Sequence, residues 1–301
     1  MLRRAVWALV VVVCLAAPVA VHAQGDYLDV YIVKVKPEKL ADFQTLTKKW
    51  IDANRRFNGD HWIAMETVYG DGNVFQFTSV RQDYADVDKV NEAAMNAANK
   101  AFGKEIADKM GRDFQNCLVW SRSELRRRRW DLSRKAPTDP AAYAKFIGES
   151  RVLRTNAVHV RPGHVPEFEA LMKEAKEAGE KTANTQPLFV SQVVEGSNGP
   201  TFYVTSLRSS LGGFDKNPTI RDILGEEGFK KYQQVNAESV DHTESTLFRF
   251  SSELSNPPEE VATVAAAFWH PKAAMAASAS KPKAPTAKTA ELKPTADKPK
   301  Q

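Results

Sequence analysis

Cysteine is scarce: the 301 residues contain two, Cys14 and Cys117. Loss of an N-terminal leader would leave Cys117 alone, so no disulfide could form within the chain and an apolar core must hold the fold. Cys117 lies in the run Cys117-Leu118-Val119-Trp120 and reads as a small buried hydrophobe. After the first residues there is no apolar run long enough to span a bilayer. A Walker loop, a dinucleotide fingerprint and a nucleophile elbow are all missing. Gly70-Asp71-Gly72 and Gly212-Gly213 read as turns. His61, His159, His164, His242 and His270 are scattered without close His/Cys ligand spacing, so no metal site is expected. His242, in Asp241-His242-Thr243-Glu244, reads as part of a surface turn.

Charge of one sign is also lacking where it would matter. The formal net charge is +5. Arg3 and Arg4 supply two of that excess, and the stretch from Lys272 supplies five more, so residues 24–271 carry −2. A nearly neutral body excludes a nucleic-acid footprint across it.

The start has the form of a secretory signal peptide over 1–23. Arg3 and Arg4 precede an apolar stretch over 5–17, and Val21-His22-Ala23 ends in a small-residue cleavage pattern. The expected fate is export to the periplasm or beyond. Residues 271–301 are rich in Lys, Ala and Pro with almost no core formers, the composition of a disordered tail. The Lys-rich tail and the run Arg126-Arg127-Arg128-Arg129 are candidate contacts for anionic envelope material, the run reading otherwise as a solvated strand end.

Between these ends one pattern occurs twice. Val33-Lys34-Val35-Lys36-Pro37 with Phe43 and Leu46 returns as Val158-His159-Val160-Arg161-Pro162 with Phe168 and Leu171. Phe75-Gln76-Phe77-Thr78-Ser79-Val80-Arg81 returns as Phe202-Tyr203-Val204-Thr205-Ser206-Leu207-Arg208, and Ser123-Glu124-Leu125 matches Ser252-Glu253-Leu254. A period of about 125 residues is domain-sized. Each copy reads as strand, helix, strand, strand, helix, strand. The first spans 24–130, with strands over 27–36, 62–69, 74–80 and 116–125 and helices to about 57 and over 86–110. The second spans 153–256, with its last helix over 220–240, broken near Gly225 or Gly228, and its last strand over 245–254. A linker over 131–152 holds a short helix that Asp139-Pro140 would open, and a short amphipathic helix is expected within 257–270.

A duplicated βαββαβ unit with a strand–Pro–helix opening resembles the dimeric α/β-barrel superfamily of ferredoxin-like domains. That group includes antibiotic-biosynthesis monooxygenase-like, stress-response barrel, haem-degrading and chlorite-dismutase-like proteins. The resemblance implies an α+β fold in which two tandem ferredoxin-like domains form a pseudo-dimeric α/β barrel within one chain. Each sheet carries its helices on one face and needs cover on the other, which the second unit would provide around a cleft.

Alternation then assigns faces. Val33, Val35, Val158 and Val160 should pack under the helices, with Lys34 and His159 turned to the cleft. Gln76, Tyr203, Thr78 and Thr205 should join them. Repeat matching adds Glu66 with Gln192 and Trp120 with Arg249. The ligand-binding candidates are therefore Lys34, Glu66, Gln76, Trp120, His159, Gln192, Tyr203 and Arg249, with His159, Tyr203, Glu66 and Arg249 grouped around a small anionic or aromatic molecule. Three functions follow: an exported small-molecule- or partner-binding protein without assignable catalysis, a cofactor-independent or haem-dependent monooxygenase, or an interaction protein whose cleft is filled. No cofactor is expected on the first reading; the haem alternative has His159 and His242 as its only candidate ligands.

Overall fold

A computed structural model describes residues 25–270; the expected leader over 1–23 and tail over 271–301 lie outside the described residues. The first unit runs β1 (Tyr27–Val35), α1 (Leu40–Phe57), β2 (Trp62–Tyr69), β3 (Val74–Arg81), α2 (Tyr84–Phe102), α3 (Lys104–Asn116) and β4 (Leu118–Arg128). The connecting helix α4 (Pro140–Glu149) leads to β5 (Val152–Val160), α5 (Val165–Lys181), β6 (Phe189–Glu195), β7 (Thr201–Arg208), α6 (Ile220–Ser239) and β8 (Val240–Asn256). Short helices α7 (Glu259–Ala262) and α8 (Ala266–Trp269) follow, joined by a 3-10 turn.

Local chemistry sets several of these boundaries. Pro37 opens a 3-10 turn ahead of α1, where a missing N–H costs nothing. Asp139 caps α4 by accepting from the Ala142 amide, with Pro140 in the first turn. Thr219 and Asp222 close a reciprocal capping box on α6. The helix expected over 86–110 is two helices, because Gly103 takes φ 80° and ψ 153° between α2 and α3. Gly225, at φ 69°, bends α6 as the sequence suggested. The single helix expected after residue 257 is broken into three short pieces. The fourth strand of each unit is longer than its apolar pattern, β8 reaching 17 residues.

The eight strands close into one barrel in the order β1-β3-β2-β8-β5-β7-β6-β4. Two seams join the units, β2 to β8 and β4 to β6. Outside the barrel, Val33, Val35 and Phe75 pack with Phe43 of α1. Val158, Val160 and Phe202 pack with Phe168 and Met172 of α5. Each such side chain contributes about 1.5–3 kcal/mol through burial. A third core closes one end of the barrel: Tyr143 and Ile147 of α4 and Val261 and Trp269 from the last helices meet Met65, Leu153, Phe248 and Phe250. Trp269 is fully buried and its indole N–H donates to the Gly148 carbonyl at 3.0 Å. Gly148 is required there, since a Cβ would sit 2.6 Å from the Val261 carbonyl oxygen. Among the described residues no helix is long and apolar enough to cross a membrane.

Candidate functional site

Because β-strand side chains alternate, register decides which residues enter the barrel. Residues directly opposite share a face. Leu28, Val30, Ile32 and Lys34 of β1 face Arg126, Glu124, Arg122 and Trp120 of β4. In the second unit Leu153, Thr155, Ala157 and His159 of β5 face Phe248, Thr246, Glu244 and His242 of β8.

This register corrects the repeat matching of the fourth strands. Lys34 opposite Trp120 corresponds to His159 opposite His242, so Trp120 matches His242, not Arg249. Likewise Glu124 matches Thr246, and the shared Ser-Glu-Leu tripeptides occupy different rungs of strands of unequal length.

Of the eight candidates, five face inward as expected. Gln76 and Tyr203 are buried, while Lys34 and His159 sit towards the rim. Lys34 pairs with Asp71 at 3.2 Å. Trp120 is at the same rim and is 39% exposed. Glu66, Gln192 and Arg249 are outside the barrel. Ala64 is packed against the α1 side, which sends Glu66, two residues on, to the same outer face. Arg249 lies directly opposite Glu66 across the seam, and both are exposed. Gln192 accepts from Arg129 at 2.9 Å on the outer face of β6. The grouping of His159 and Tyr203 with Glu66 and Arg249 is therefore not formed.

The arginine run is also placed differently. Arg126 and Arg128 are 4% and 8% exposed inside the barrel. Arg129 is tied to Asp131, Glu169 and Gln192 outside it. Only Arg127 of the four is exposed, so the run is not a basic surface stripe. An unbroken string of arginines hides the alternation that would have revealed this; the signal was that β4 continues past Leu125 with its parity intact.

The interior holds three layers. Next to the plugged end is a cavity of about 460 Å³. Its wall is mainly apolar, including Leu28, Ile63, Met65, Phe189, Leu207 and Phe250, with Gln76, Thr78, Thr155, Thr205, Arg126 and Arg128 among its polar groups. Gln76 is the one residue of the eight candidates on this wall. At the edge, Arg81 binds Asp60 at 2.7 Å and Asp29 at 3.1 Å; burial raises the Asp29 pKa against the pull of that guanidinium.

The middle layer is a charge network. Arg126 Nε donates to Glu124 Oε2 at 2.7 Å, and its guanidinium lies 3.4 Å from the Tyr203 ring centroid. The Tyr203 hydroxyl donates to Glu124 Oε1 at 3.2 Å, and Arg122 lies 2.9 Å from that carboxylate atom. Burial raises the Tyr203 pKa and keeps the phenol neutral. Arg126 Nη2 lies 2.7 Å from Glu124 Oε2 but is not aligned to bond it, and it has no hydrogen-bond partner.

At the opposite rim the His159 and His242 rings stack 4.1 Å apart and 10° from parallel. Burial, then the neighbouring His242, lowers the His159 pKa. Glu244 completes a group of three possible metal ligands with these histidines, which the sequence spacing did not disclose.

Haem requires an axial donor and room beside it. The one imidazole on the cavity wall is His61, which is exposed, and no cysteine lines it. A recess of about 210 Å³ between the second sheet and α5 and α6 has neither imidazole nor cysteine; burial raises the pKa of its phenol, Tyr232, away from the phenolate. Of the two histidines named as candidate ligands, His159 and His242, neither lines either space. Neither space offers a buried imidazole or thiol to ligate haem iron.

No family model matches the sequence, and no curated protein matches it. Solved structures do resemble it. An anthrone oxidase-like protein aligns with a TM-score of 0.50 at 14% identity, covering 76% of this chain and 93% of its own. Chlorite dismutase from Candidatus Nitrospira defluvii aligns at 0.45 with 8% identity, covering 77% of this chain and 94% of its own. Identities this low bear on fold alone. The chain has the dimeric α/β-barrel fold, with both halves of the barrel supplied by one polypeptide.

Proposed function

We propose that the barrel binds a small, largely apolar or aromatic molecule carrying one anionic or carbonyl oxygen. The observation that carries this reading is a mainly apolar cavity of about 460 Å³ whose wall includes the buried guanidinium of Arg126. The volume falls within the usual range of small-molecule sites, about 300–1,000 Å³. A ligand oxygen that the guanidinium reaches gains a charge-assisted hydrogen bond, about 1.5–3 kcal/mol. An interior filled by side chains would leave no space of this size, so the interaction-protein reading is the weaker one.

The test is calorimetry of the full chain against benzoate, 1-naphthoate, 1-naphthol and naphthalene. Saturable 1:1 binding of the oxygen-bearing compounds is expected, weakened at least tenfold in Arg126→Met, with naphthalene little affected. Absence of saturable binding by all four would overturn the proposal.

An enzymatic reading uses the same cavity. A guanidinium in apolar surroundings suits an enolate or phenolate, which is the electron-rich form that reacts with dioxygen without a cofactor. In that reaction a substrate methylene becomes a carbonyl, one oxygen atom enters the product and the other leaves as water, so the substrate supplies all the electrons. Oxygen uptake with an anthrone-type substrate would favour this reading; binding without uptake would leave the protein a carrier.

Export remains part of the proposal, supported by Arg3-Arg4, the apolar stretch over 5–17 and Val21-His22-Ala23. Intact mass of the secreted chain should correspond to a start at Gln24. Anionic envelope contact now rests on the Lys-rich stretch from 272 alone, and deletion of 272–301 should weaken retention on anionic vesicles.

A further inference from the structure

We propose that His159, His242 and Glu244 bind one divalent metal ion of the zinc class at the barrel rim, opposite the apolar cavity. The three residues come from two strands that pair directly. His159 near the end of β5 faces His242 near the start of β8, and Glu244 lies two residues further along the same face. One ligand atom from each lies within 4.8 Å of the others.

The outer nitrogens of both rings are already engaged. His242 Nδ1 is 2.8 Å from Asp241 Oδ2, and His159 Nδ1 is 3.3 Å from Thr201 Oγ1. That leaves Nε2 of each ring for a metal, with His242 Nε2 3.7 Å from Glu244 Oε1. A metal-binding histidine ordinarily has its second nitrogen held by a carboxylate or other oxygen acceptor, which fixes ring and tautomer.

A β-bulge explains the Asp241 contact. The register passes from His159–His242 to Val160–Val240, so Asp241 is the extra residue. Neighbours on a regular strand point to opposite faces; a bulge turns two successive side chains to the same side. Asp241 thereby reaches the ring beside it.

Size and charge agree with a cation. Two metal–nitrogen bonds of about 2.0–2.1 Å place the nitrogens about 3.4 Å apart in a tetrahedron. The rings must turn out of their parallel stack so that both in-plane Nε2 lone pairs converge, and the ligand atoms must close by about 1 Å, which side chains 52% exposed at His242 and 68% exposed at Glu244 permit. Asp241 and Glu244 supply two carboxylates, and the charged groups facing them are Arg122 and Arg161. Imidazole with carboxylate suits zinc, copper or nickel and disfavours calcium or magnesium. Three protein ligands leave a fourth position open for water or an anion. The same rim in the first unit carries Lys34, Trp120 and Arg122, which can ligate nothing. One site among the described residues follows.

The experiment is zinc titration of the chelator-stripped full chain by calorimetry, with the imidazole resonances followed by NMR. One zinc per chain is expected, shifting His159 and His242 signals and sparing His61, His164 and His270. His242→Ala and Glu244→Gln should weaken binding, the first by about a hundredfold, and Asp241→Asn by about tenfold. Zinc binding unchanged in His242→Ala, or wild-type shifts confined to the other histidines, overturns the proposal and leaves the ring stack a plain contact. The NMR arm needs no variant, so it decides the matter even where a substituted chain folds poorly.

Discussion

β4 and β8 occupy the same place in the two units, yet their inward side chains share almost nothing. From rim to plugged end β4 presents Trp120, Arg122, Glu124, Arg126 and Arg128; β8 presents His242, Glu244, Thr246, Phe248 and Phe250. Both strands close the same barrel, so the fold fixes where these side chains point and leaves their chemistry free. A symmetric pair of subunits would have two equal faces. One chain can place a charge ladder on one side of the lumen and an apolar wall with metal-type ligands on the other.

The largest effect is expected where that ladder is broken. Arg126→Ala removes the buried guanidinium that is bonded to Glu124, itself 3% exposed, and stacked on Tyr203, and should cost about 3–5 kcal/mol in denaturant unfolding. Glu124→Leu with Arg126→Leu should recover most of the loss, as apolar substitutes for a buried ion pair often do. A double variant as unstable as the single would show that the ladder is not a self-contained unit.

On the β8 side, Phe250→Ala opens the plug next to Trp269 and should cost about 3–5 kcal/mol. It should also speed exchange of an aromatic ligand out of the cavity. Unchanged exchange would mean that the ligand enters from elsewhere.

A smaller effect concerns pH. The His159 pKa is lowered in the folded state, mainly by burial. The unfolded chain therefore takes up its proton first, and folded stability falls as pH drops through the ordinary histidine range near 6.5 towards the lowered value. Measured without metal, Lys34→Ala should retain that slope and His159→Gln should flatten it. Equal slopes in both variants would contradict the asymmetry of the two rims.

The smallest effects are expected at Glu66 and Arg249, outside the barrel. Alanine at either should change stability by no more than about 0.5 kcal/mol and leave ligand binding unaltered. Loss of binding in Arg249→Ala would return it to the site.

The sequence made the barrel legible because Val-x-Val-x-Pro and the aromatic hairpins repeat with the parity that the helices demand. Phe43, Phe75, Phe168 and Phe202 all occupy the expected helix side. The site was less legible, for two physical reasons. The fourth strands of the units differ in length, so matched tripeptides misaligned Trp120 with Arg249 and hid the His159–His242 pair. Arg126 and Arg128 looked like solvent-facing charges, since burial of a guanidinium depends on a partner, Glu124, and a ring, Tyr203, that only the closed barrel brings together.

Closure by one chain underlies each of these statements, and cross-linking across both seams tests it most directly. Arg127 faces Gln192 and Glu66 faces Arg249 in the register, and directly opposed strand residues lie within disulfide reach, Cα separations being about 4.5–5.5 Å. In a Cys117→Ser background, Arg127→Cys with Gln192→Cys, and Glu66→Cys with Arg249→Cys, should each oxidise to a monomer carrying one internal disulfide, independent of protein concentration. Covalent dimers, or free thiols at both seams, would contradict a barrel closed within a single polypeptide.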